Sequence, residues 1–177
     1  FLLTFFETAK LSVAAAQSCP GGIPASEASA ILAAHNNLRQ KISSGAYTAK
    51  GKRMPAAKSQ IPNLSWDCSV AQSAQSYADT CPGLRHSQKK GFGENLYIMW
   101  GSGKDGMGAK ASASWEDEFQ QYGWSDIKLT NQVFSSGIGH ATQMAWAKTT
   151  KIGCGMASCK NGGELLVVCQ YQEPSVY

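Results

Sequence analysis

The chain has 177 residues, a 43% apolar share, 18 glycines and a formal net charge of +4, which suits one domain with a buried core. Its basic residues are scattered, grouping only at Lys50, Lys52 and Arg53 and at Lys89-Lys90, and this falls short of a nucleic-acid-binding surface. No apolar run approaches the roughly 20 residues that cross a bilayer, so no transmembrane segment is expected.

Six cysteines, an even number, suit three disulfides and an oxidising compartment. The rival use of cysteine, zinc binding, lacks its spacing, because the chain has no CxxC and no cysteine-histidine cluster. The expectation is a secreted, extracellular protein.

The first 18 residues, FLLTFFETAKLSVAAAQS, combine an apolar start with a small-residue stretch, like pieces of a signal peptide. Glu7 and Lys10 interrupt what should be a continuous apolar region. Residues 1–18 therefore read as a leader remnant or an N-terminal extension, and 19–177 as a single domain entered at Cys19-Pro20-Gly21-Gly22.

A first helix is expected from Ser26 and Glu27, with Ile31, Leu38 and Ile42 on one stripe. His35 shares that stripe and reads as a hydrogen-bonded core residue. The segment from Gly45 to Pro62 reads as a loop. Just beyond it, Asn63-Leu64-Ser65 is an N-glycosylation sequon, with Asn63 expected at the surface. Asp67 is a candidate N-cap for a second helix carrying Val70, Ala74, Tyr77 and Cys81 on one face, so that Cys81 ends it pointing inward.

HSQKKGFGENLYIMW is broken by glycine and then strand-like. A third helix carries ASASWEDEFQQYGW, where Trp115, Phe119 and Tyr122 form an apolar stripe at about 100° per residue. Glu118 lies near the edge of that stripe, Glu116 farther round, and Asp117 points away. Of the three acids Glu118 is best placed to look inward. At the C-terminal end, KIGCGM and ELLVVCQY read as two strands joined at Asn161-Gly162, a two-residue hairpin signal. That turn sets Cys154 opposite Cys169, where the two can bond.

The stretches AAHNNLRQ, LSWDCSVAQSAQSYADTC, HSQKKGFGENLY, SASWEDEF, GHATQMAWAKTTKIGCG and LLVVCQYQEP, taken in order, resemble the successive signatures of the CAP superfamily. The WDC stretch and the final cysteine pattern look most like its nematode venom-allergen-like, Ancylostoma-secreted-protein branch. The resemblance implies an α+β fold, an α-β-α sandwich with a central antiparallel sheet between helical layers and three disulfides. It also implies a central cleft lined by His86, Glu94, Glu118 and His140. For the disulfides it suggests Cys81–Cys159 and Cys154–Cys169, leaving Cys19–Cys68. The chain departs from the family after Tyr171, where QEPSVY replaces the usual Pro-x-Gly-Asn and no cysteine-rich tail follows. The ion-channel activity associated with that tail is not implied.

Two imidazoles and two carboxylates suit a weak, water-completed Zn²⁺ site, with the carboxylates ligating or orienting the histidines. The alternative is a hydrolase or protease in which a Glu or His acts as general base on water or Ser87. No GxSxG, HExxH or cysteine-nucleophile motif supports it, and the expectation is no catalysis. Phe92, Tyr97 and Trp100 have the aromatic spacing of the caveolin-binding pattern that the family uses for sterols, so the resemblance implies a sterol or fatty acid as ligand. It further implies a host-directed, immunomodulatory role through an immune or cell-surface protein.

Overall fold

The computed structural model describes residues 18–101, 103, 105–124 and 129–175. Apart from Ser18, the N-terminal extension expected over 1–18 lies outside them. The elements are α1 (Ala25–Ser43), β1 (Thr48–Ala49), β2 (Lys52–Arg53), β3 (Ser65–Trp66), α2 (Cys68–Ala78), β4 (Gly93–Trp100), α3 (Met107–Gln121), α4 (Asn131–Phe134), α5 (Gly139–Ala145), β5 (Lys151–Cys159) and β6 (Glu164–Gln172). No helix among the described residues is long and apolar enough to cross a membrane.

The main sheet has the strand order β3-β5-β6-β4. Its three long strands pair antiparallel, as expected, but the two-residue β3 runs parallel to the start of β5. α2 covers one face, while α1, α3 and α5 pack together over the other. The pleat sorts the side chains between these layers. Leu96, Leu166 and Val168 cluster with Ala74 and Ala78 of α2, whereas Leu165, Val167, Cys169 and Tyr171 join α1, α3 and α5.

The glycines of the KIGCGM strand set the α2 layer. A Cβ at Gly153 would lie 2.1 Å from the amide nitrogen of Ala71, and one at Gly155 2.3 Å from Cα of Gln75. Those distances are far inside contact, so α2 can lie directly on β5 only because both positions lack a side chain. Asp67 caps α2 as expected: its carboxylate accepts the Ser69 and Val70 amides. Lys151 lies 3.0 Å from the same carboxylate, tying the cap to β5.

The hairpin has the expected register, with Cys154 opposite Cys169 and their Cα atoms 4.1 Å apart in a disulfide. Its loop is four residues long where two were expected. Lys160, Asn161 and Gly162 all adopt positive φ, so one residue is added on each side of the turn and the pairing is unshifted. Cys19–Cys68 and Cys81–Cys159 are also formed.

Other expectations are corrected. Cys81 does not end α2 pointing inward: the helix stops at Ala78, and Cys81 is exposed with φ of 49° beyond it. It reaches the buried Cys159 from outside. Tyr122 does not complete the α3 stripe. Trp115 and Phe119 are buried, but the helix ends at Gln121 and Tyr122 is 53% exposed. The expected loop from Gly45 to Pro62 contains a small hairpin, β1 with β2, turned by Lys50 and Gly51, both at positive φ. Its neighbours Tyr47, Ala49 and Met54 are buried. Asn63 is exposed, as expected.

Candidate functional site

β4 begins beside a cleft of about 930 Å³ that both His86 and His140 line. The alternation of the strand sends Glu94 to the α2 face and Asn95 to the other. Glu94, on the α2 face, backs His86: Oε1 lies 3.0 Å from His86 Nδ1 and also accepts the Ser87 amide at 2.8 Å. Gln170, directly opposite Glu94 on β6, donates its Nε2 to Oε2 at 2.9 Å. Burial opposes ionisation of Glu94, but the hydrogen bonds from His86, Ser87 and Gln170 outweigh it and hold the carboxyl below its ordinary pKa. The bond to Glu94 raises the pKa of His86 against the smaller effect of burial.

On the other face, α3 and α5 meet. Glu118 Oε1 lies 2.6 Å from His140 Nδ1, and its Oε2 accepts the Ala141 amide at 3.0 Å, satisfying a free N–H in the first turn of α5. The His140 ring stacks at 13° on Trp115. Asn95 donates to the His140 carbonyl and to the Tyr171 hydroxyl. That hydroxyl in turn lies 2.8 Å from Nε2 of His35, whose Nδ1 lies 2.8 Å from the Ile31 carbonyl. Since a carbonyl only accepts, His35 donates through Nδ1 and accepts the Tyr171 proton at Nε2. His35 is therefore a neutral core residue, as its position on the stripe suggested. Burial pushes its pKa down to about 4 and that of Tyr171 well up.

Each cleft histidine thus has Nδ1 on a carboxylate, and no described residue occupies its Nε2. Glu118 stands behind His140 and outside the cleft wall. No group of three or more His, Cys, Asp or Glu among the described residues is arranged to hold a metal ion. Two imidazoles oriented by carboxylates are the available donor set, and that chemistry fits a zinc ion completed by water.

The three aromatics do not converge. Phe92 lines the cleft, with the Lys89 ammonium 4.8 Å from its ring. Trp100 stands at the far end of β4, about 26 Å away at about 3.3 Å per residue. There it is 68% exposed beneath the Lys160 ammonium. Tyr97 packs against the α1 and α3 core, on the opposite face of the strand from Trp100. The spacing places them along one strand and not around one pocket.

Three parts of this region were missed in the sequence. Arg39 is fully buried and donates to the carbonyls of Pro62, Met144, Trp146 and Thr149. It thereby fixes the C-terminal end of α5, the helix that presents His140. Burial lowers its pKa to about 10, leaving it cationic at neutral pH. Glu27 was read only as a helix starter, yet its carboxylate accepts the Gly106 and Gly108 amides at the head of α3. The divergent tail is tied in as well: Gln143 accepts the Ser175 amide, and Pro174 and Ser175 line the cleft. Each is a contact between distant segments, for which local patterns carry no signal.

A helix-backed sheet with two carboxylate-held histidines in one cleft is a CAP-type architecture. Residues 32–171 match the CAP, or Cysteine-rich secretory protein, family, and the chain belongs to that family. It is 33% identical over 162 residues to Venom allergen 3 of Solenopsis invicta, covering 85% of this chain and 68% of that protein. Venom allergen 5 of Microctonus hyperodae is 31% identical over 80% of the chain and 64% of its own length. The chain thus spans about two thirds of these curated relatives. Among solved structures it is similar to the nematode venom-allergen-like BmVAL-1, with a TM-score of 0.82 and 34% identity over 89% of this chain and 82% of that one. NaASP2 with Zn²⁺ gives a TM-score of 0.80 and 34% identity over 87% and 83%.

Proposed function

We propose that this is a secreted, host-directed venom-allergen-like protein that acts by binding and not by turnover. Its cleft holds a divalent cation, zinc first, between His86 and His140. The observation that carries the reading is the pairing of both Nδ1 atoms with carboxylates, which leaves both Nε2 atoms to one cleft. The similarity to NaASP2, solved with Zn²⁺, supports it. Two nitrogen donors make the affinity modest, since catalytic zinc usually has three protein ligands. Binding is favoured over hydrolysis because His86 Nδ1 is engaged by Glu94, while Ser87 Oγ accepts the Lys89 amide and has no described bond to either imidazole. Calorimetry at neutral pH tests the site: wild type should bind Zn²⁺, and His86→Ala with His140→Ala should not. Equal affinity in the double variant would remove the cleft from the account.

Sterol or fatty-acid binding is a second reading, supported by Phe92 and Phe134 in the cleft wall and by the exposed Trp100 on an edge strand. Because these lie apart, Phe92→Ala and Trp100→Ala should be assayed separately with a sterol. Loss of binding in only one of them locates the ligand, and unchanged affinity in both excludes these positions. The exposed sequon at Asn63 and the exposed Trp100 end of the edge strand are surfaces on which an N-glycan and a host immune or cell-surface protein can be accommodated.

A further inference from the structure

A chain of donors runs from the rim of the cleft to His86, and each link fixes the next. The Lys89 ammonium lies 2.5 Å from Ser73 Oγ and can only donate, so Ser73 accepts there. The Ser73 hydroxyl proton is then free for Gln170 Oε1, also at 2.5 Å. This assigns the amide of the buried Gln170, whose NH₂ must point the other way, at Glu94 Oε2. The reverse orientation would set its carbonyl against the Glu94 carboxylate, which can only accept. Glu94 is left as acceptor on both oxygens, with Oε1 taking the Ser87 amide. The one remaining contact, His86 Nδ1 at 3.0 Å, must therefore donate.

We infer that Lys89, Ser73 and Gln170 are positioning residues that hold neutral His86 as its Nδ1–H tautomer, with the Nε2 lone pair aimed into the cleft. α2, β6 and the rim loop each contribute one member, so the tautomer is set by the way α2 lies on the sheet. Orientation of a ligand imidazole by an outer hydrogen-bond partner commonly governs metal affinity. The consequence for zinc rests on the metal reading above, whereas the tautomer does not.

The test is long-range ¹⁵N–¹H correlation NMR of the histidine side chains at alkaline pH, on wild type, Gln170→Met and Ser73→Ala. Wild-type His86 should be predominantly Nδ1–H. Each variant should lower its ratio of Nδ1–H to Nε2–H by roughly fivefold, the worth of about one net hydrogen bond. His140, held by Glu118 on the other face of the sheet, should not change and reports that the fold is intact. Ser73 is only partly buried, so its variant keeps the test available if Gln170→Met fails to fold. Zinc affinity should fall about 10- to 100-fold in the same variants. An unchanged His86 ratio in a folded variant overturns the inference. A shifted ratio in a protein whose wild type binds no zinc upholds the positioning and removes the metal reading instead.

Discussion

His140 and Glu118, 22 residues apart in sequence, meet at 2.6 Å, and the second oxygen of that carboxylate closes on the next amide of α5. One side chain of α3 thus fixes both the ring of His140 and the start of the helix that carries it. Glu118→Gln keeps one acceptor and loses the charge and the other. Zinc affinity should fall by about 10- to 100-fold with the fold retained. Titration calorimetry on the two proteins measures it, and equal affinities would assign Glu118 a packing role only.

The His86–Glu94 pair gives the cleft a pH dependence. The pKa of His86 is raised, above all by its bond to Glu94. Its contribution to stability is therefore complete below the unfolded value of about 6.5 and is lost as pH rises through the folded value. The pKa of Glu94 is lowered by its hydrogen bonds despite burial. Its contribution is present above about 4.3 and is lost as pH falls through the folded value. The pair is thus most stabilising between these limits. Zinc competes with the proton on Nε2, so its binding should strengthen through a midpoint above about 6.5. Affinities measured across a pH series check this, and a midpoint below that value would contradict the geometry.

Glu27 caps a helix that is not its own. α3 begins at a left-handed Gly106 with no side-chain cap of its own, and Glu27 takes two of the amides at its head, those of Gly106 and Gly108, at 2.7 Å each. Glu27→Ala should cost about 0.5–2 kcal/mol, the range for removing a helix cap. Urea unfolding measures the change, with unaltered stability as the contrary result.

The close approach of α2 makes Gly153 intolerant of any side chain. Gly153→Ala places a methyl group 2.1 Å from the backbone of Ala71, so α2 must lift from β5. A loss at or beyond the upper end of the about 1–3 kcal/mol typical of overpacking is expected. A variant as stable as wild type in thermal melting would show that α2 does not sit directly on the strand.

The sequence was most legible where structure is local and periodic. The 3.6-residue period placed Glu118 at the inward edge of α3, and the two-residue period with a turn signal put Cys154 opposite Cys169. An Asp before an amphipathic run marked the cap of α2. The period also misled where an element stopped early: Tyr122 and Cys81 continue their stripes on paper but lie beyond the helix ends. What stayed hidden was non-local. Arg39 looks like any helix-surface cation until four carbonyls from two distant segments close around it. Gln170 and Ser73 acquire meaning only when α2 lies against β6. Phe92, Tyr97 and Trp100 share a spacing, but a strand spreads such a spacing over its length and faces.

Zinc K-edge X-ray absorption on the one-to-one complex at neutral pH tests the central claim most directly, because it counts the donors around the ion. Two imidazole nitrogens at about 2.0–2.1 Å, with oxygen completing the shell, is the result expected for zinc held between His86 and His140. A shell without imidazole scattering, or one unchanged when both histidines are replaced by alanine, would contradict it.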